Sequence, residues 1–336
     1  MKQRGFRYCS TCSTKLQKRG LTTAGTQRWF CPRCSSSATK PRQDLTRAFI
    51  LERFVTWLLG KKSQTELDVS SDRTWRRHIS WCWQVIPKPL LSGEIYPIIL
   101  IDATRVGNLV CLIARTPEAV IAWHWAGWES SCTWEELLQK IPSPTVVVCD
   151  GQKGILLAIA RCWPKAHIQR CVFYVWQNIR VKLTLHPQTE AGRELLLLSR
   201  ILLRGIKTKE LVKQWQELLK DWDQRYGSFI RERTYLANPQ SGQRKWWYTH
   251  RGLRSAYKQL EKLLKDDQLF TYLDTSLTAK PIPRTTNYVE GGINSQLKEK
   301  LKLHRGLSQL HQQRLVEWYL YSRTKDQKPP RNVLVY

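Results

Sequence analysis

Two short runs of this chain, IILID ending at Asp102 and VVVCD ending at Asp150, each carry an unbroken apolar stretch straight into an aspartate. Apolar runs of this length suit strands buried on both faces of a sheet. A carboxylate closing such a strand loses its water and must be hydrogen-bonded, paired or metal-bound. One such aspartate reads as an ordinary turn or cap. Two of them, in neighbouring strands of one sheet, point to a shared site. Carboxylates brought together repel and raise one another's pKa, a penalty that a divalent cation removes. Hard oxygen ligands select magnesium or manganese.

The segments around these aspartates read in the order β-β-β-α-β-α-β, at 96–104, 108–115, 119–127, 133–140, 145–150, 152–162 and 166–170. The first three strands form an antiparallel meander and the later ones join through helical crossovers. That is the plan of an α/β, ribonuclease-H-like catalytic core, with Asp102 on its first strand and Asp150 on its fourth. From about 175 to 275 the chain reads as helical and heavily charged, with ELLLLSRILLRGI and KELVKQWQELLKDWDQRYG as its clearest elements. Trp246 and Trp247, beside Arg244 and Lys245, read as core packing of these helices in preference to base stacking. After two prolines the chain runs on as a helix through Glu290 to about 323. In PRTTNYVEGGINSQLK, Glu290 is a lone acid between Asn287 and Asn294, just before a Gly-Gly pair. A third carboxylate from a later helix would complete the site, and Glu290 is the candidate. Asn287 and Asn294 lie three and four residues from it, so one helix face could carry all three and orient the glutamate or contact DNA.

The N-terminal part follows another logic. Cys9-x2-Cys12-x18-Cys31-x2-Cys34 has the spacing of a four-cysteine zinc ribbon, in which each pair offers two thiolates and the two pairs complete a tetrahedron. Residues 1–40 hold nine basic residues, no acid and few aliphatics, so a metal supplies the folding energy there. Beyond it, DLTRAFILERFVTWLLG is an amphipathic helix closed by Gly60. A short helix, a turn at Val69-Ser70-Ser71 and a second helix follow, the elements of a helix-turn-helix. Arg73, Arg76 and Arg77 are exposed on the second helix, which suits a DNA major groove.

Lysine and arginine number 55 against 27 acids, a formal charge of +28, and the commonest polyanionic partner is nucleic acid. No run of 18 apolar residues is present and the N-terminal MKQRGFRYCSTC has no apolar leader segment, so a membrane is not expected. Apart from the two pairs, the cysteines lie singly between Cys82 and Cys171, a usage that fits a reducing compartment with one metal site. The expected setting is the cytoplasm of a prokaryotic cell, on the nucleoid.

The frames LIDAT, VVVCDGQKG and PRTTNYVEGGINSQLK resemble the mutator-type transposases of bacterial insertion sequences, a DDE family. The cysteine pairs, the helix-turn-helix and HRGLS at His304–Ser308 are similar to a branch of that family with an N-terminal zinc ribbon. The resemblance implies that Asp102, Asp150 and Glu290 are the first, second and third members of a catalytic triad holding two Mg2+ or Mn2+ ions, with one Zn2+ in the ribbon. It implies an all-helical insertion between Asp150 and the helix of Glu290. The domains it implies are 1–42 zinc ribbon, 43–90 helix-turn-helix, 91–178 first part of the core, 179–280 insertion, and 281–336 catalytic helix with C-terminal tail. Lys298 and Arg305 are expected to bind phosphate. Double-stranded DNA, both element ends and target, is the expected partner, with a homo-oligomer forming on it. The family often has a histidine three residues after a cysteine or aspartate that follows the fifth strand. Here Cys171 is followed by Tyr174, so that role is vacant or moved, and nearby His167 is not assigned to it. Other readings stay open: a zinc-ribbon DNA-binding regulator or domesticated inactive transposase, or a structure-specific nuclease on the same ribonuclease-H-like core.

Overall fold

Residues 8–40 contain too few aliphatic side chains to make a core of their own, and their structure is correspondingly slight. Strands β1 (Gln17–Leu21), β2 (Gln27–Phe30) and β3 (Ser37–Ala38) pair antiparallel in that order, and Cys9, Leu16 and Cys31 are buried together beside them. The computed structural model describes residues 8–40, 43–62, 66, 72–237, 245–286 and 290–335. The chain divides into two compact units, Met1–Leu90 with Gln296–Tyr336, and Leu91–Ser295.

In the first unit, α1 (Gln43–Leu59) buries Leu51, Phe54, Val55 and Leu58, the three-and-four spacing of one helix face. The Gly60 amide donates to the Trp57 carbonyl at 3.0 Å and closes the helix. Helix α2 (Asp72–Ile79) buries Trp75 and Ile79 one turn apart and leaves Arg73, Arg76 and Arg77 exposed, as their spacing predicts. The turn expected at Val69, Ser70 and Ser71 lies outside the described residues. A 3-10 turn, Ser80–Gln84, then buries Cys82 and Trp83.

The second unit is built on a mixed sheet. Strands β4 (Ile98–Val106), β5 (Leu109–Arg115) and β6 (Val120–Ala126) form the antiparallel meander. Helix α3 (Ser131–Leu138) leads to β7 (Val146–Cys149), and α4 (Lys153–Cys162) leads to β8 (His167–Arg170). The sheet order is β6-β5-β4-β7-β8, with β7 parallel to both β4 and β8. Side-chain alternation gives the sheet two buried faces. Ile99, Ile101, Val147 and Cys149 face Trp134, Leu137, Ile155 and Ile159 of α3 and α4. Ile98, Leu100, Val146 and Val148 face the other way, onto Ile282. Both faces are covered, which is why these strands read as continuous apolar runs. Ser130 caps α3 reciprocally, accepting from the Thr133 amide at 3.3 Å while Thr133 Oγ1 accepts from the Ser130 amide at 3.0 Å.

Helices α5 (Val172–Leu183), α6 (Glu190–Arg204), α7 (Lys209–Tyr226) and α8 (Arg251–Lys265) share a separate apolar core containing Trp215 and Trp222. Each of those indoles donates to a carbonyl of α6, Trp215 to Leu198 at 3.0 Å and Trp222 to Ala191 at 2.9 Å. This stretch is not all-helical. Strands β9 (Arg233–Tyr235) and β10 (Trp246–Tyr248) form an antiparallel pair within it, where aromatic and β-branched residues favour extended chain. Trp246 and Trp247 therefore lie on a hairpin, outside the helical core cluster, and Trp247 is 39 % exposed. Trp246 carries the Arg233 guanidinium over its ring at 4.1 Å.

The C-terminal helix is also interrupted. A π-helical turn, Glu290–Asn294, precedes α9 (Ser295–Leu303) in place of one regular helix through Glu290. The chain then turns at residues 304–308 before α10 (Gln309–Tyr321). Gly306 weakens a helix there, and Ser308 starts the next one by accepting from the His311 amide at 3.4 Å. Within the first unit, Arg314 of α10 donates to the Trp83 carbonyl at 2.9 Å and is paired with Glu317, both side chains being buried.

Replacing Trp222 with alanine removes a fully buried indole and its hydrogen bond. The helical core should lose ~3–5 kcal/mol, read from urea unfolding followed by circular dichroism. A loss well below ~1 kcal/mol would show that Trp222 does not hold these helices together.

Candidate active site

The pairing of β4 with β7 sets the geometry of the site. Ile98, Ile99 and Leu100 lie opposite Val146, Val147 and Val148 in parallel register. Two residues beyond the last of these pairs each segment reaches an aspartate, Asp102 and Asp150, and alternation along β4 puts Asp102 on the face that carries Leu100. Asp102 is still within β4 and only 4 % exposed, and its Oδ1 accepts from the Ala103 amide at 2.9 Å. Asp150 is the first residue past β7, half-buried, and its Oδ1 accepts from the Gln152 amide at 3.0 Å. That bond turns the chain into α4. Gly151 makes the turn with φ of +75°, and a Cβ there would fall 1.8 Å from the Arg170 guanidinium, so only glycine fits. Arg170 lies this close because it donates to the Asp150 carbonyl, 2.7 Å from Nη2 and 3.2 Å from Nε.

The chain around Glu290 runs over the same face. Ile282 packs on Leu100 and Val148. The Arg284 carbonyl accepts from the Val172 amide at 3.0 Å, and the Thr286 amide and hydroxyl donate to Cys171 Sγ at 3.3 and 3.4 Å. Burial, opposed by these two hydrogen bonds, keeps the Cys171 thiol above its usual range, so it is a neutral anchor for the segment. On the far side of Glu290, a Cβ on Gly292 would lie 3.8 Å from Arg115 Nη1, and Arg115 stands opposite Leu100 in the sheet. Glu290 opens the π-helical turn. Its side chain, and all of Asn287, lie outside the described residues. Asn294 is 5 % exposed and so is not available to a DNA duplex, contrary to the DNA-contact role expected for it. It lies beside Ile293 on the inward side of this turn.

A fourth carboxylate belongs to this neighbourhood and escaped sequence reasoning. Glu129 follows β6 and is half-buried, accepting from Trp134 Nε1 at 3.0 Å. Burial, and behind it the negative charge of Asp150, push its carboxyl above the usual range against the lowering hydrogen bonds of Trp134 and Gln152. The two loops meet closely, since a Cβ on Gly154 would lie 3.2 Å from the Ser130–Ser131 backbone. A signal was present: β6 runs parallel to β4, so its end, like those of β4 and β7, falls at the edge that carries the aspartates. Tyr174 is half-buried in α5, against the edge of Phe173. His167 begins β8, at the end of that strand away from the aspartates.

In the other unit, the Sγ atoms of Cys9, Cys12, Cys31 and Cys34 all lie within 4.8 Å of one another. The two knuckles repeat the same local structure. Cys9 and Cys31 each donate a backbone amide five residues on, to Thr14 and Ser36 at 2.8 and 2.9 Å, and each carbonyl accepts from a serine, Ser13 or Ser35, in the left-handed region. Burial works to raise the Cys9 thiol, but hydrogen bonds from Ser36, Thr11, Cys12 and Cys34 outweigh it and bring it to about 6. At Cys31 the Cys34 amide favours the thiolate, but burial and the Cys12 and Cys34 thiols prevail and push it up to about 11. Four thiols this close, sharing protons, form a donor set that a tetrahedral thiophilic cation fits. The basic candidates Lys298 and Arg305 are exposed, as are Arg73, Arg76 and Arg77. No helix among the described residues is long and apolar enough to cross a membrane.

Residues 91–234 match the family model described as Transposase, Mutator family. A probable transposase for an insertion sequence element from Corynebacterium diphtheriae is 24 % identical over 204 residues, covering 52 % of this chain and 57 % of the relative. A transposase for an insertion sequence element from Lactococcus lactis is 27 % identical over 149 residues, covering 39 % of this chain and 37 % of the relative. The chain thus spans little more than half the length of the first of these relatives and less of the second. All of the sheet that carries Asp102 and Asp150 lies in the segment that matches the Mutator-family transposase model, in a chain similar to the transposases of insertion sequences.

Proposed function

We propose that this chain is a DNA transposase that binds the ends of its insertion sequence and performs metal-dependent strand cleavage and transfer by in-line phosphoryl transfer. The observation that supports the reading is the parallel register of β4 and β7, beyond which each segment reaches an aspartate two residues after the last pair, within the matched segment. The strand order, an antiparallel meander extended by two parallel strands, supports a ribonuclease-H-like core. Asp102, Asp150 and Glu290 are then the catalytic triad. The buried carboxylate of Asp102 and the half-buried one of Asp150 suit hard divalent cations, Mg2+ or Mn2+, two of which when bound would supply Lewis acidity at the attacking and leaving oxygens.

The residues of the chain have distinct tasks in this reading. Asp102 and Asp150 hold charge in place on the sheet, Asp150 being fixed by the Gln152 amide and by Arg170 on its carbonyl. Glu290 is delivered by a segment anchored on Cys171. Such a site needs positioning and charge more than acid–base help from the protein. The four cysteines hold one Zn2+ as a ribbon, α1 and α2 belong to a helix-turn-helix, and the remaining proposed domains follow the boundaries given above. Arg73, Arg76, Arg77, Lys298 and Arg305 contact DNA, and the protein works as a homo-oligomer on it in the cytoplasm. A regulator would leave the two aspartates without a purpose, and a nuclease would cleave without joining.

Replacing Asp102, Asp150 or Glu290 by alanine should abolish transfer of a labelled element end into plasmid DNA with magnesium or manganese, while gel-shift binding of that end stays near wild type. Asp→Asn should be nearly as damaging, because the amide keeps the shape without the charge. Glu299→Ala, at an exposed position of α9, serves as the control and should transfer normally. Robust transfer by Glu290→Ala would overturn the triad, and metal-dependent cleavage without joining would favour the nuclease.

The cysteine cluster makes its own prediction. Native mass spectrometry of the full chain should show one zinc, absent from Cys31→Ser, and chelation should make residues 8–40 readily cleaved by protease. Equal protection with and without metal would exclude a structural zinc.

A further inference from the structure

A cavity of the first unit, about 560 Å³, has no part in the carboxylate site, whose residues belong to the other unit. It opens between the end of α2 with the following 3-10 turn and the turn at residues 304–308. Its walls are aromatic and apolar, from Trp57, Ile79, Trp83 and Leu307, with His304 and His311. Arg76 and Arg305, both exposed, stand at its rim. These two arginines lie far apart in sequence, and each is expected on separate grounds to touch DNA. The fold brings them to one opening.

The interior suits a flat, neutral, polar-edged ring. Trp83 and His311 are already stacked, 4.0 Å between centroids and 13° between planes, so a further ring can extend the stack. Trp57 meets His304 edge-on at 4.9 Å, and its buried indole N–H has no acceptor among the described residues. His304 Nε2 donates to the Leu58 carbonyl at 3.1 Å, which fixes the tautomer and leaves Nδ1 as an acceptor. Burial holds both imidazoles below their usual range, so they are neutral at pH 7 and the positive charge stays at the rim. A volume of this size is that of a small-molecule site, and a duplex cannot enter it. Aromatic walls with two guanidiniums outside match a single nucleotide, base inward and phosphate outward.

We infer that this cavity takes one unpaired nucleotide of bound DNA, its base stacked beside Trp83 and His311 and its phosphate on Arg76 and Arg305. The inference rests on the DNA-binding part of the proposed function and not on its chemistry, so it is tested without magnesium or manganese. The probes are two dye-labelled duplexes of equal length, one fully paired and one with a single unpaired nucleotide, bound to the full chain and read by fluorescence anisotropy. Wild type should prefer the unpaired probe about fivefold or more, as stacking of one base allows. Two variants should bring that preference to about one while binding the paired duplex within about twofold of wild type. His311→Ala removes the stacking surface, and Gly306→Phe fills the cavity from a position where a Cβ meets nothing within 4 Å. An unpaired 2-aminopurine should be quenched by wild type and not by His311→Ala. Equal affinity of wild type for the two probes, or a preference kept by both variants, overturns the inference and leaves the transposase reading standing. Failure to bind either probe overturns both.

Discussion

Three residue pairs, Ile98–Val146, Ile99–Val147 and Leu100–Val148, hold the candidate site in place. Because the strands are parallel, both run out at the same edge. Because side chains alternate along β4, Asp102, two steps beyond Leu100, faces the same way as Leu100. A slip of one residue along β4 would turn Asp102 toward α3 and α4, into an apolar cluster where a carboxylate is costly. The register is pinned from both sides, since the strands bury apolar side chains on α3 and α4 and on Ile282. Packing remote from the carboxylates thereby sets their separation.

Arg170 and Arg115 are both buried, and both donate to backbone carbonyls, Arg170 to Asp150 and Arg115 to Thr116 and Pro117 at 2.7 Å. Arg170 fixes the backbone at Asp150, whereas Arg115 fixes the β5–β6 turn at the opposite edge of the sheet. The Glu129 carboxyl is raised first by burial and then by the negative charge of Asp150.

The parts of this arrangement legible in the sequence are those written in local pattern. The strand and helix order around Asp102 and Asp150 follows from apolar runs punctuated by polar turns, and the cysteine cluster follows from its spacing. What escaped depends on contacts between distant segments. Glu129 looks like a loop acid until α3 is seen to carry Trp134 back onto it. The break at residues 304–308 sits in a sequence with adequate helical periodicity, but there the His304 imidazole bonds to the Leu58 carbonyl, a partner 246 residues away. The β9–β10 pair is concealed within a charged helical stretch because each strand has only three residues. Asn294 reads as sharing one regular helix face with Glu290, but a π-helical turn stands there and Asn294 is buried.

The proposed carboxylate site is a claim about where a divalent cation sits, and iron(II) can report that position directly. With ascorbate and peroxide, Fe2+ bound in place of magnesium generates hydroxyl radical that cuts the nearby backbone. Fragments of the full chain should show cuts around residues 102, 150 and 290, suppressed by excess magnesium and missing in Asp150→Asn. Cuts confined to the cysteine segment, or none that magnesium suppresses, would contradict a metal site on this edge of the sheet.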